Sequence, residues 1–180
     1  MELNKLNNNV KIIGGHWKRK NIIFSDKDGL RPTLGRVRET LFNWLNQDLT
    51  DKSCLDLFSG SGALGFEALS RNASITYMIE KDNNIYKVLV ANKDHLKTDK
   101  AVIINTTAEN FISQNHVLFD IIFFDPPFQD KNQISLLPLL KKHLAPDGLI
   151  YFESDNKFEE EHFKIIKSSR AGKVYFYLLQ

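Results

Sequence analysis

The chain has 180 residues, 42% hydrophobic and 26% charged, with a net charge of +2. That suffices for one domain with a real core and is too little for two comfortable ones. No apolar run approaches the roughly 20 residues of a membrane span, and a lone cysteine, Cys54, excludes an internal disulfide and a thiolate zinc site. The polar start, Met1 to Asn9, lacks the apolar stretch of a secretory signal, so a cytoplasmic location is expected. The five histidines show no ligand spacing, and no metal is expected. Charge is uneven: residues 1–45 hold nine Lys/Arg and four Asp/Glu, a balance of +5, against fifteen and eighteen, or −3, in the rest. A basic N-terminal segment on a mildly acidic body suits an arm that meets polyanions, although a solvated hairpin gives the same composition.

Val10 to Phe24 reads as a hairpin: a strand Val10–Ile13, a turn at Gly14-Gly15, and a second strand ending at Phe24. Trp17 and the basic run Lys18-Arg19-Lys20 lie within it and are candidates for nucleic-acid contact, by stacking and by phosphate binding. Thr33, after Pro32, can cap a helix whose buried face is Val37, Leu41, Trp44 and Leu45. From there strands and helices alternate: strand Cys54–Phe58, helix Ala63–Arg71, strand Ile75–Ile79, helix through Ile85 to Leu96, strand Ala101–Ile104, a short helix around Phe111, and strand Phe119–Phe124. A helix bearing Leu136, Leu137, Leu140 and Leu144 follows, kinked or opened by Pro138, and then strand Gly148–Phe152. The end departs from the alternation, with Phe163–Ile166 and Val174–Leu178 forming a terminal antiparallel hairpin. The expected fold is α/β, a Rossmann-like, mostly parallel sheet with helices on both faces. Residues 1–48 are read as an N-terminal extension and residues 49–180 as one compact unit.

Asp56 to Gly65 follows the first strand of the alternation and opens the next helix. Gly60 and Gly62 permit a tight turn and close backbone approach to a ligand. Gly60-x-Gly62-x-x-Gly65, with Glu80 twenty residues after Gly60, also matches a dinucleotide fingerprint, so a nicotinamide oxidoreductase is a rival. Asp56, however, would repel a pyrophosphate and could pair with an amino group. S-adenosylmethionine carries an amino group and a sulfonium and no phosphate. Asp125-Pro126-Pro127-Phe128 then follows the buried strand. Two prolines end the ladder and stiffen a loop at the carboxyl end of a central strand, where open α/β sheets place their chemistry. A carboxylate, fixed carbonyls and one aromatic face suit the amino group of a flat heterocycle. They do not say which heterocycle.

With these motifs the chain resembles class I S-adenosylmethionine-dependent methyltransferases. More narrowly, Lys11–Lys18, Arg31-Pro32-Thr33, Arg36–Leu45, Phe58–Gly65 and Glu67–Arg71 resemble the bacterial 16S rRNA guanine-N2 methyltransferase family of the RsmD type. Two departures are Leu34-Gly35 after Thr33 and Phe128 where many relatives carry Tyr. The resemblance implies S-adenosylmethionine as methyl donor, held by Asp56, Phe58, Gly60, Gly62, Glu80, Ala108, Glu109, Arg31 and Thr33. It implies catalysis at Asp125, Pro126, Pro127 and Phe128, methylation of a guanine N2 (guanine 966), and 16S rRNA or a small-subunit assembly intermediate as partner, met by a monomer without a membrane. DNA adenine-N6 or cytosine-N4 methyltransferases share the Asp-Pro-Pro-Phe loop but usually carry a separate recognition domain, for which this chain has no room. A catalytically silent nucleic-acid-binding module is a further alternative.

Overall fold

The computed structural model describes residues 8–24, 35–127, 130–158 and 163–180. Strands β1 (Asn8–Lys11) and β2 (Asn21–Phe24) pair antiparallel as a separate two-stranded sheet. Helix α1 (Gly35–Trp44) leads into the main sheet, built from β3 (Ser53–Asp56), β4 (Ile75–Glu80), β5 (Ala101–Asn105), β6 (Phe119–Phe124), β7 (Leu144–Ser154), β8 (Ile165–Ala171) and β9 (Val174–Leu179). Between them run α2 (Ala63–Ser70), α3 (Asn83–Leu96) and α4 (Ala108–Gln114). The sheet order is β5-β4-β3-β6-β7-β9-β8. The pairs β5-β4-β3-β6-β7 are parallel, and β9 is antiparallel to both β7 and β8. The terminal hairpin thus joins the sheet edge with its second strand inside and its first outside.

The core has two halves, one on each face of the sheet, as period-2 alternation along the strands requires. On one face Cys54, Met78, Ile121, Phe123, Tyr151 and Phe176 pack under the N-terminal hairpin, α1, α2 and α3. On the other, Leu55, Ile79, Ile122, Phe124, Ile150 and Phe152 pack under α4 and the segment Lys131–His143. That last segment differs from the expected α-helix. Pro138 lacks an N–H and its ring crowds the preceding turn, and the chain winds there in tighter 3-10 turns. Leu136, Leu137 and Leu140 are buried as expected, while Leu144 opens β7 instead.

The hairpin also closes differently. Residues 12–20 join its strands, so Gly14-Gly15 is not a two-residue turn. Both glycines mark close approach to α2. A Cβ on Gly14 would lie 2.1 Å from the Arg71 guanidinium, and one on Gly15, at φ +71°, would lie 1.7 Å from the Ser70 carbonyl oxygen. The N–H of His16 donates to that carbonyl, and Ser70 Oγ accepts from Trp17 N and donates to the Gly14 carbonyl. On the other side, the Asn92 amide of α3 exchanges two hydrogen bonds with the Ile23 backbone. Buried Ile12, Trp17 and Ile22 belong to the same core as α1 and α2. Among the described residues, no helix is long and apolar enough to cross a membrane.

Candidate active site

Strand order reverses between β3 and β6: the chain proceeds from β3 outward to β5, returns to β6, and proceeds outward again to β7. Ligands bind open α/β sheets at the carboxyl ends of strands beside such a reversal. Asp56, Glu80 and Asp125 stand there, at the ends of β3, β4 and β6.

The loop after β3 is held from several sides. Leu57 N donates to the Phe123 carbonyl and Ser59 N to the Ile79 carbonyl, tying the loop to both neighbouring strands. Ser59 Oγ donates back to the Asp56 carbonyl at 2.9 Å. Gly60 and Gly62 take φ of +48° and +77°, values that side chains disfavour, and Gly62 caps α2. Glu80 Oε2 accepts from Gly60 N at 3.1 Å and its Oε1 from Asp82 N at 2.7 Å, so one half-buried carboxylate bridges the loops after β3 and β4. Asn105 at the end of β5 donates to the Glu80 carbonyl at 2.7 Å. Asp56 is 2% exposed and accepts from Gly65 N at 3.0 Å. Phe58 is half-buried and meets Phe124 edge-on, with ring centroids 5.5 Å apart.

Ala108 is buried in the first turn of α4, behind the Thr107 cap. Glu109 is exposed on that turn; its own backbone N–H, then Gln133 and Thr107, hold its carboxyl below the ordinary value. Gln133 Nε2 donates both to Glu109, at 2.8 Å, and to Asp130, at 3.0 Å, linking α4 to the loop after β6. In that loop Asp125 is half-buried, Pro126 buried and Pro127 exposed, and the Pro127 carbonyl accepts from Asp130 N. Arg31, Thr33 and Phe128 lie outside the described residues.

The structure brings Asp56, Glu80 and Asp125 into one electrostatic neighbourhood. Burial raises the Asp56 carboxyl to about 7, opposed by the Gly65 hydrogen bond and reinforced by the charges of Asp125 and Glu80. Glu80 is raised as well, mainly by burial. Three carboxyl groups gathered at the ends of adjacent strands suit a ligand that brings positive charge and disfavour a pyrophosphate. The donor set therefore fits S-adenosylmethionine, with its ammonium and sulfonium, and does not fit a dinucleotide.

A pH dependence follows. Folded Asp56 keeps its proton up to about pH 7, whereas an ordinary aspartate releases it near 3.8. Between those values the folded state binds the extra proton, so the ligand-free fold loses stability as pH rises toward 7. A cationic ligand selects the ionised form. Affinity for S-adenosylmethionine is therefore expected to rise up to about tenfold per unit toward pH 7 and to level off above it. Calorimetric titration from about pH 5.5 to 7.5 checks this, and Asp56→Asn should flatten the profile.

The N-terminal loop needs a correction. Trp17 is 7% exposed, in the core beneath the loop, and offers no stacking face. Its burial follows from the Gly14-Gly15 approach, which sets the following residues down on α2. Lys18, Arg19 and Lys20 are exposed, with Arg19 at φ +75° and the backbones of Arg19 and Lys20 hydrogen-bonded to Ile12 at the base of the loop.

Two residues at the site escaped the motif reading. Tyr151 and Glu153, near the carboxyl end of β7, are buried and joined by a 2.6 Å hydrogen bond from Tyr151 Oη to Glu153 Oε1. The signal was available: Glu153 stands just past the apolar run Gly148–Phe152, as Asp125 stands past its own.

Fold and site together define a class I S-adenosylmethionine-dependent methyltransferase, and S-adenosylmethionine is its methyl donor. Residues 10–180 match the family described as Conserved hypothetical protein 95. The ribosomal RNA small subunit methyltransferase D of Escherichia coli K12 is 44% identical over 148 residues, covering 81% of this chain and 75% of that protein. Its counterpart in Haemophilus influenzae is 38% identical over 180 residues, covering 95% and 93%. The solved structure of yhhF from Escherichia coli superposes with a TM-score of 0.85 at 39% identity, covering 96% of this chain and 98% of the other. The chain belongs to the RsmD-type family of 16S rRNA guanine-N2 methyltransferases.

Proposed function

We propose that this protein transfers the methyl group of S-adenosylmethionine to the exocyclic N2 of guanine 966 in 16S rRNA. The single observation that carries the chemistry is the grouping of the Gly60–Gly62 loop, Glu80 and the Asp125-Pro126-Pro127 loop at the ends of three adjacent strands. Membership of the family supports the RNA target.

S-adenosylmethionine, when bound, supplies an electrophilic methyl. Asp56 would face its positive charge, Glu80 the ribose hydroxyls, Phe58, Ala108 and Glu109 the adenine side, and Arg31 and Thr33 would close over it. The target amino group is a poor nucleophile, since its lone pair is delocalised into the ring. Hydrogen bonds from that NH2 to Asp125 and to the Pro126 carbonyl favour a pyramidal nitrogen with a localised pair. Pro127 keeps the loop stiff, and Phe128 stacks on the base once it is flipped from its helix. Positioning and matched electrostatics carry the acceleration. The proton leaves from the methylated nitrogen afterwards.

The reading extends to a cytoplasmic monomer whose N-terminal extension, residues 1–48, meets RNA through Lys18, Arg19 and Lys20. The three cations together are expected to contact about three phosphates. Replacing all three with alanine should weaken RNA binding tenfold or more at low salt and flatten its salt dependence by about two to three in log–log slope. The fold should be unchanged, since all three side chains are exposed.

The deciding experiment is transfer of a labelled methyl to small ribosomal subunits, naked 16S rRNA and duplex DNA. Label confined to guanine N2 of the rRNA is the expected result. Label in DNA alone would overturn the reading in favour of a DNA amino-methyltransferase.

A further inference from the structure

Asp125 and the Pro126 carbonyl accept hydrogen bonds, and guanine, adenine and cytosine all have an NH2 to give them. The bases differ at the neighbouring ring nitrogen. In guanine, N1 carries a hydrogen. In adenine N1 and in cytosine N3 the same place is a bare lone pair. A second acceptor beside Asp125 would therefore select guanine, because flipped bases are read by hydrogen bonds to this edge.

The sheet places such an acceptor. The pairing of β6 with β7 sets Phe123 beside Tyr151 and Phe124 beside Phe152, so the next residues along the two strands are Asp125 and Glu153. Phe123 and Tyr151 face the core half under α1 and α2, and Phe124 and Phe152 face the other. By alternation, Asp125 and Glu153 both turn to the first face. Glu153 is 5% exposed, and a carboxylate withdrawn that far from water is costly unless it is hydrogen-bonded. Tyr151 supplies one such bond at Oε1. Burial, then the charges of Glu153 and Asp125, holds the proton on Tyr151, so its hydroxyl stays a donor and Asp125 lies within its electrostatic reach.

We propose that Glu153 determines base specificity: its carboxylate accepts the N1–H of the guanine whose N2 amino group rests on Asp125, and it repels the lone pair that adenine or cytosine presents there. Tyr151 is the positioning residue that orients this carboxylate. The inference rests on the guanine-N2 reading above and adds the residue that selects the base.

The test uses the full chain and small subunits rebuilt around ligated 16S rRNA that carries guanine, 2-aminopurine or 2,6-diaminopurine at the target. Both analogues keep the 2-amino group and have a bare N1, and they differ from each other at position 6. The unaltered protein should prefer guanine over either analogue by at least about 100-fold in kcat/KM, since a site built for a donor rejects a base that lacks it. Glu153→Gln, whose amide can donate to a bare N1, should bring guanine and the analogues within about tenfold of each other. Glu153 acting only as a structural partner of Tyr151 would lower all three rates together and leave their ratios unmoved, which overturns the proposal. If Glu153→Gln does not fold, Tyr151→Phe keeps the ring and removes only the hydroxyl. It should narrow the guanine preference at least fivefold, and an unmoved preference again overturns the proposal. Equal rates on guanine and both analogues by the unaltered protein would sink this inference alone. No transfer to guanine at all would sink the functional reading and this inference with it.

Discussion

Asp125→Ala is expected to lower kcat for methyl transfer by at least about 1,000-fold while leaving S-adenosylmethionine binding within a few-fold of the unaltered protein. The first half follows from the reaction: without the carboxylate, one of the two acceptors that localise the amino lone pair is gone. Single groups of this electrostatic kind are typically worth 100- to 1,000-fold, and the loss of base orientation adds to that. The second half follows from the site. Asp125 lies at the end of β6, whereas the glycine loop and Glu80 are held to each other and to β3, β4 and β5 by bonds that do not involve it. The charge of Asp125 raises the Asp56 carboxyl. Removing it should leave Asp56 more ionised near neutral pH and cofactor binding, if anything, slightly tighter. Calorimetry and single-turnover transfer, measured on the same preparation, check both halves. Loss of cofactor binding along with transfer would show that Asp125 serves the donor and not the base.

The largest effect on stability is expected from Glu67→Ala. Glu67 is fully buried in α2. Its Oε1 accepts from Gly14 N at 2.7 Å and from Arg71 Nε at 2.9 Å. Its Oε2 accepts from Ile13 N at 2.9 Å and lies 3.5 Å from Arg38 Nη1. Both guanidinium partners are themselves buried. Removing the carboxylate strands two backbone N–H groups and two cations away from water. Breaking a buried pair in this way costs about 3–5 kcal/mol, which for a chain of this size lowers Tm by roughly 10 °C. The damage should be local first, because Glu67 pins the hairpin loop to α2. Limited proteolysis should cut within residues 12–20 before the main sheet is attacked. Glu67→Gln, which keeps one acceptor oxygen but not the charge, should fall between the two. A Tm within about 2 °C of the unaltered protein would contradict this account of how the hairpin is held.

The hairpin also shows where local patterns mislead. Gly14-Gly15 between two apolar runs reads as a tight turn. In the fold the pair is there because Arg71 and Ser70, more than fifty residues later, come too close for any Cβ. Trp17 beside three cations reads as an RNA-stacking platform, yet it fills the core, because the loop that carries it is pressed onto α2. Pro138 announced a disturbance, and only the structure showed it as a run of 3-10 turns. Strand signals fared better. The runs leading to Asp56, Glu80 and Asp125 lie in the sheet as expected, though β3 stops at Asp56 and not at Phe58. The largely apolar runs of central strands covered on both faces are written into neighbouring residues and need no distant partner.

The alternation of strands and helices, the glycine loop with Glu80, and the Asp-Pro-Pro-Phe loop are local patterns. By themselves they determined the α/β class and the place of the chemistry, and together with the family resemblance they pointed to the methyl donor. Tertiary structure decided what those residues experience. Asp56 is reluctant to ionise because the fold buries its carboxyl, and the charges of Asp125 and Glu80, brought alongside by β6 and β4, add to that. Glu67, an ordinary helix acid in sequence, became the anchor of a segment 53 and 54 residues away. Glu153 stands beside Asp125 only because β6 and β7 pair in one particular register. Burial and charge coupling depend on which surfaces meet, and that is settled by the whole fold.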